Sequence, residues 1–135
     1  MTKAMEPERN RSDQITWEDF EKVELRVGTI VGVEAFPEAR KPAYKLAIDL
    51  GALGVKRSSA QLTVLYPKDE LLGRQVICVT NFPPKRIAGF VSEVLTTGFV
   101  VGGGEVILSQ PERKVPNPLR MPSRQPRLPA LQSVS

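Results

Sequence analysis

At 135 residues, 41% hydrophobic and 25% charged, the chain has the size and balance of a single soluble globular domain. It contains no histidine and one cysteine, which removes the commonest general acid–base side chain, the soft ligand sets of zinc sites and any intramolecular disulfide. The net charge of +4 is unevenly placed: residues 116–135 hold Arg120, Arg124 and Arg127 without an acid, residues 1–14 balance three cations against three acids, and residues 15–115 carry 13 against 12. Affinity of the core for a polyanion therefore depends on where its cations cluster, not on its sum. No apolar run approaches the roughly 20 residues of a membrane helix, and the N-terminus lacks the apolar centre of a secretory signal. A cytoplasmic protein without membrane insertion is expected.

In chain order, residues 1–14 are polar and unpatterned and read as a flexible lead-in. Thr16 offers an N-cap with Asp19 three residues on, and Trp17, Phe20 and Val23 fall at helical spacing, predicting a short helix. Leu25 to Phe36 is β-branched and broadly alternating, with Gly28 and Gly32 placed where a long strand bends around a barrel corner. Tyr44 to Leu50 alternates cleanly and ends at Gly51, and a third strand runs from Val55 to Leu62. A helical or turn segment ends near Leu71, Leu72 and Gly73. Strands follow over Val76–Phe82, Phe90–Thr97 and, after the Gly102–Gly104 loop, Val106–Leu108.

Short strands punctuated by Gly and Pro predict an all-β fold, a five-stranded OB-type barrel with short appended helices over residues 15–117. From Val115 onward, five prolines disfavour both helix and sheet ladder, so residues 118–135 are expected to form a disordered Pro/Arg-rich tail.

Two segments carry the chemistry. KRSSAQL places Lys56 and Arg57 beside Ser58, Ser59 and Gln61, and NFPPKRIAGFVSEVL places Asn81 and the adjacent Lys85 and Arg86 in a polar turn after a buried strand. Cations for phosphates with amides and hydroxyls for base edges or sugars form the inventory of an RNA-binding OB face. The plainer reading is that these are solvated turn residues. Arg40 and Lys41 make a second basic loop, with Tyr44 or Phe36 near enough in sequence to stack an unpaired base. Phe82 and Phe90 bracket the PPKRIAG turn and either meet ligand or pack at the core. Trp17 and Phe20 either close the barrel bottom or form a subunit interface, because a two-turn helix cannot bury a stripe alone. Cys78, within VICV, reads as a buried, inert thiol. Ser58 and Ser59 near Lys56 lack S-x-x-K spacing, and Glu18-Asp19 and Asp69-Glu70 sit where helices begin, so no catalytic residue, metal or cofactor is expected.

Together with ELRVGTI and FPEARKPAYKLAIDLG, these segments resemble the tRNA-binding domain family over roughly residues 15–117, in particular its stand-alone bacterial members of the CsaA secretion-chaperone type. The resemblance implies an OB barrel forming a homodimer, with RNA contacts at Asn81, Lys85, Arg86 and Ser92 supported by Ser59 and Gln61; Lys56 and Arg57, read from the residues themselves, stand beside them as RNA-binding candidates. It also implies an apolar surface for polypeptide or for the partner subunit, for which Trp17, Phe20, Phe36, Phe82 and Phe90 are the candidates. Where many members read SxGM, this chain has Ser92-Glu93-Val94-Leu95, and three glycines stand in TTGFVVGGGEVILSQ where the branch has an acid-containing loop. The expected function is a non-catalytic CsaA-like chaperone for unfolded or precursor polypeptides bound for export, possessing tRNA-binding capacity. The alternative is a dedicated binder of structured tRNA acting in trans.

Overall fold

The structure is a computed structural model and describes residues 13–116 and the strand residues Leu119 and Arg120. Residues 1–12 of the lead-in expected over 1–14, and the rest of the tail, lie outside the described residues. Helix α1 (Trp17–Glu21) opens on the predicted capping box. Thr16 Oγ1 accepts from the Asp19 N–H at 3.1 Å, and an Asp19 carboxylate oxygen accepts from the Thr16 N–H at 3.0 Å.

Strand β1 (Leu25–Ala35) organises the barrel by serving two partners in succession. Its first half pairs antiparallel with β4 (Gln75–Val79) from Leu25↔Val79 to Thr29↔Gln75, and its second half with β2 (Tyr44–Asp49) from Thr29↔Asp49 to Ala35↔Tyr44. A strand that changes partner midway must coil, and the register shift between Ile30 and Gly32 supplies the bulge that bends it. Gly28 is needed for close approach: a Cβ there would sit 2.5 Å from Ile48 Cγ2 and 2.7 Å from Leu50 Cδ2. Both glycines thus act at the corner the sequence assigned them.

Beyond β2, a 3-10 turn over Gly51–Leu53 leads into β3 (Val55–Ala60), and α2 (Lys68–Leu71) delivers the chain to β4. The short strands β5 (Lys85–Ile87), β6 (Phe90–Ser92) and β7 (Leu95–Thr96) follow, then β8 (Gly98–Gly102) and β9 (Glu105–Leu108). The barrel sheet runs β3-β2-β1-β4-β7, the five strands expected. It nearly closes where the chain before β7 meets β3. The Glu93 and Val94 N–H groups donate to the Arg57 carbonyl at 2.7 and 3.3 Å, and Thr96 Oγ1 donates to Ser58 Oγ at 2.8 Å.

Alternation on β2 turns Leu46 and Ile48 inward, where they meet Ile30, Leu62, Leu71 and Val76, each 2% exposed or less. Burial of each such side chain contributes roughly 1.5–3 kcal/mol. Cys78 lies in this core, and desolvation pushes its thiol up to about 12.

The structure departs from the sequence reading in four places. The expected turn before Phe90 contains β5, which forms a hairpin with β6. The single strand expected over Phe90–Thr97 is broken at Glu93 and Val94, whose N–H groups leave for Arg57. Gly98–Gly102 is a strand paired with β9, with Val100 opposite Val106. In the Pro-rich tail, Leu119 and Arg120 form β10 against Val27 and Arg26 of β1. Neither residue is proline, so both keep the N–H that a ladder needs.

Candidate nucleic-acid and polypeptide interface

The β5–β6 hairpin is built for a tight reversal. Ala88 and Gly89 both have positive φ, 47° and 84°, which matches the right-handed twist of the paired strands. Its register sets Lys85 opposite Ser92 and Ile87 opposite Phe90, so Lys85 and Ile87 share one face and Arg86 takes the other. The Lys85 face looks into a cleft of about 440 Å³. Phe82, Pro83, Ile87 and Leu95 supply apolar wall, and Ser59, Gln61 and Lys85 supply polar groups. Phe82 is 55% exposed and Leu95 46%, so this apolar surface is open to solvent.

Ser92 also lines the cleft, with its hydroxyl engaged: it accepts from the Ser59 N–H at 3.0 Å and donates to the Val94 carbonyl at 3.5 Å. It thereby fastens the hairpin to β3. Asn81 stands elsewhere. Its side-chain oxygen accepts from the Glu24 N–H at 3.0 Å and its amide nitrogen donates to the Lys22 carbonyl at 2.6 Å, clamping the junction between α1 and β1.

Lys56 and Arg57 diverge. Lys56 lies on the side of β3 that carries the inward-facing Ser58 and Ala60, whereas exposed Arg57 sits 5.1 Å from the centroid of the Phe90 ring. Phe36 and Phe90 are buried against one another with centroids 5.4 Å apart, forming a small second core with Ala43. Their covered rings leave Phe82 as the exposed member of the Phe82–Phe90 pair. Trp17, 53% exposed, rests 5.5 Å from Phe20 on α1.

Among residues absent from the sequence-based candidates, Lys45 is the most conspicuous. Its Nζ lies 5.0 Å from the Phe36 centroid and 5.6 Å from that of Phe90. The alternation of β2 placed Lys45 on the outward face, but only the cross-strand register reveals that Arg57 approaches the same ring. The β8–β9 hairpin was missed as a surface. Phe99, Val100, Val101 and Ile107 are 63, 80, 54 and 45% exposed, an apolar ribbon on a two-stranded sheet.

Among the described residues no helix is long and apolar enough to cross a membrane, and no three His, Cys, Asp or Glu side chains group as a metal site. The Asp19 carboxyl is held below its ordinary value chiefly by the Thr16 N–H bond, and it belongs to the helix cap.

Residues 25–120 match the family model described as "Putative tRNA binding domain". The chaperone CsaA of Bacillus anthracis strain Ames is 49% identical, the match covering 81% of this chain and 99% of that one with a TM-score of 0.77. The CsaA chaperone protein of Picrophilus torridus is 48% identical over 78% of this chain and 99% of its own, with a TM-score of 0.71. The methionine–tRNA ligase of Methanococcoides burtonii is 36% identical over 102 residues, which make up 76% of this chain but only 15% of the ligase. What is shared with the ligase is thus one short segment of a much longer enzyme. The family match runs through all five barrel strands, and a solved relative is nearly half identical along its whole length: the chain belongs to the tRNA-binding domain family.

Proposed function

We propose that this protein is a non-catalytic, cytoplasmic, CsaA-like chaperone that holds unfolded or precursor polypeptides for export, with an additional capacity to bind tRNA. The observation that carries the polypeptide reading is the open cleft beside β5. Exposed Phe82 and Leu95 with Ile87 offer an apolar seat, while Lys85, Ser59 and Gln61 offer donors for peptide carbonyls or acidic side chains. A holdase of this kind needs no cofactor. The apolar β8–β9 ribbon and Trp17 are the surfaces on which a second copy would pack, giving a homodimer.

A second reading, a dedicated tRNA binder acting in trans, is favoured by Lys85 and Arg86, which stand exposed on the same hairpin. The two readings separate in one experiment. Suppression of aggregation of a chemically unfolded client is measured beside anisotropy of labelled bulk tRNA, for the wild type, for Phe82→Ser and for Lys85→Ala/Arg86→Ala. The chaperone reading expects Phe82→Ser to abolish most of the suppression while tRNA affinity is retained. Suppression that is absent in the wild type, beside micromolar or tighter tRNA binding that the double variant loses, would leave the protein as a dedicated RNA binder.

A further inference from the structure

A second pocket, of about 370 Å³, lies on the outer face of the β1-β2-β3 sheet and is assigned no role above. Its floor is formed by small residues. Gly32 and Ala47 are cross-strand partners at the β1 bulge, and a Cβ on Gly32 would lie 3.2 Å from that of Ala47. Its walls hold two cations, Lys45 and Arg57, each within 5.6 Å of the Phe90 centroid. Among the described residues, neither cation forms an ion pair with a carboxylate. Glu34, on the rim, is the pocket's one acid; it stands opposite Lys45 in register without bridging to it.

A ring face attracts a cation, but two cations sharing one ring repel each other, and the ring cannot neutralise either charge. The arrangement is completed by an anion between them. The floor, kept free of bulk by glycine and alanine, leaves room for a flat group beside the Arg57 guanidinium, a plane on which unpaired bases stack. Anion and flat group together describe a nucleotide.

We propose that the pocket floored by Gly32 and Ala47 and walled by Lys45, Arg57 and Phe90 is a subsite for one phosphate-bearing nucleotide, either an unpaired residue of an RNA or a free nucleotide. This deepens the RNA-binding part of the reading above and rests on it only where the nucleotide belongs to tRNA. The subsite adjoins the Lys85 cleft without sharing a lining residue: Arg57 and Ser59 stand two apart on β3 and Phe90 and Ser92 two apart on β6, so RNA engaging both would run along one face of the barrel.

The test pairs two ligands with two variants. Anisotropy of labelled bulk tRNA across a salt series is measured for the wild type, for Lys45→Gln/Arg57→Gln and for Glu34→Gln. In parallel, 5′-AMP, adenosine and inorganic phosphate are titrated into the isotopically labelled wild type while the Gly32 and Ala47 amide resonances are followed. The proposal expects the double variant to lose about tenfold or more in tRNA affinity and to have a shallower salt dependence, by roughly 0.7 per single-strand phosphate contact released. It expects Glu34→Gln, which removes the rim carboxylate, to bind more tightly; this arm holds even if the double variant folds poorly. AMP should shift both amides where adenosine does not, and phosphate should do so weakly. A shift with AMP but unchanged tRNA binding assigns the pocket to free nucleotides. If wild-type tRNA binding is absent, the RNA reading fails and the AMP arm alone decides the pocket. Unmoved amides with AMP, together with a wild-type salt slope in the double variant or no tRNA binding at all, overturn the proposal.

Discussion

Asn81 shows how one side chain admits two roles that differ in what they predict. As an RNA contact, it would offer its amide to a base. In the structure both ends of that amide are occupied, by the Glu24 N–H and the Lys22 carbonyl. Asn81→Ala is therefore expected to cost about 1–2 kcal/mol of stability, the ordinary loss for breaking such bonds, as read by urea denaturation. Any fall in tRNA affinity should vanish once the folded fraction is corrected for. A loss of affinity at unchanged stability would return Asn81 to the RNA surface. Cys78 carries a pH consequence. Burial lifts its thiol from 9.0 to about 12, so above pH 9 the unfolded chain releases a proton that the native chain retains. Its contribution to stability is whole below pH 9 and declines as pH rises toward 12. Unfolding midpoints measured from pH 7 to pH 10 should fall at the alkaline end, and Cys78→Ala should flatten that part of the fall. Alkylation of the native protein at pH 8 should be slow beside that of the unfolded chain.

At the level of elements, legibility followed how local the deciding contacts were. Helix α1 was readable because its cap is closed by residues three apart, Thr16 and Asp19. The alternation of β2 was readable because one face is buried and the other half-exposed. Strand β5 was not, because two prolines and two cations read as a turn, and its pairing is fixed by Ala88 and Gly89 at the reversal. Strand β8 was hidden by the glycines that end it. The break between β6 and β7 depends on Arg57, whose carbonyl captures two N–H groups from a segment more than thirty residues away in the chain. The candidate site was legible as an inventory: Lys85, Ser92, Ser59 and Gln61 converge on one cleft. Its division into adjoining groups, with Arg57 joining Lys45 and Asn81 turning to the helix junction, required the register. The β8–β9 hairpin yields its own prediction. Val100→Glu with Ile107→Lys places one charge on each side of the ribbon, and if the proposed homodimer packs there, sedimentation equilibrium should move from dimer toward monomer with tRNA affinity per subunit little changed. A dimer that persists at the same dissociation constant would place the subunit contact elsewhere.

Across the molecule, function rests on placement more than on totals. The core carries nearly equal numbers of cations and acids, yet Lys85 and Arg86 stand on one hairpin and Lys45 and Arg57 meet over one ring. A field averaged over the surface would miss both groupings, which act within a Debye length of about 8 Å at physiological salt. The order β3-β2-β1-β4-β7 also sets a schedule. During synthesis, β1, β2 and β3 zip as a meander of neighbours, but Leu25 waits for Val79 before the first half of β1 has its antiparallel partner in β4. Closing so long a loop is slower than forming a hairpin, and in the interval an apolar strand edge lies open. Each copy therefore begins life in the sticky, half-zipped condition from which a holdase would shelter others, and its own yield in the cell should depend on how quickly the ribosome delivers β4.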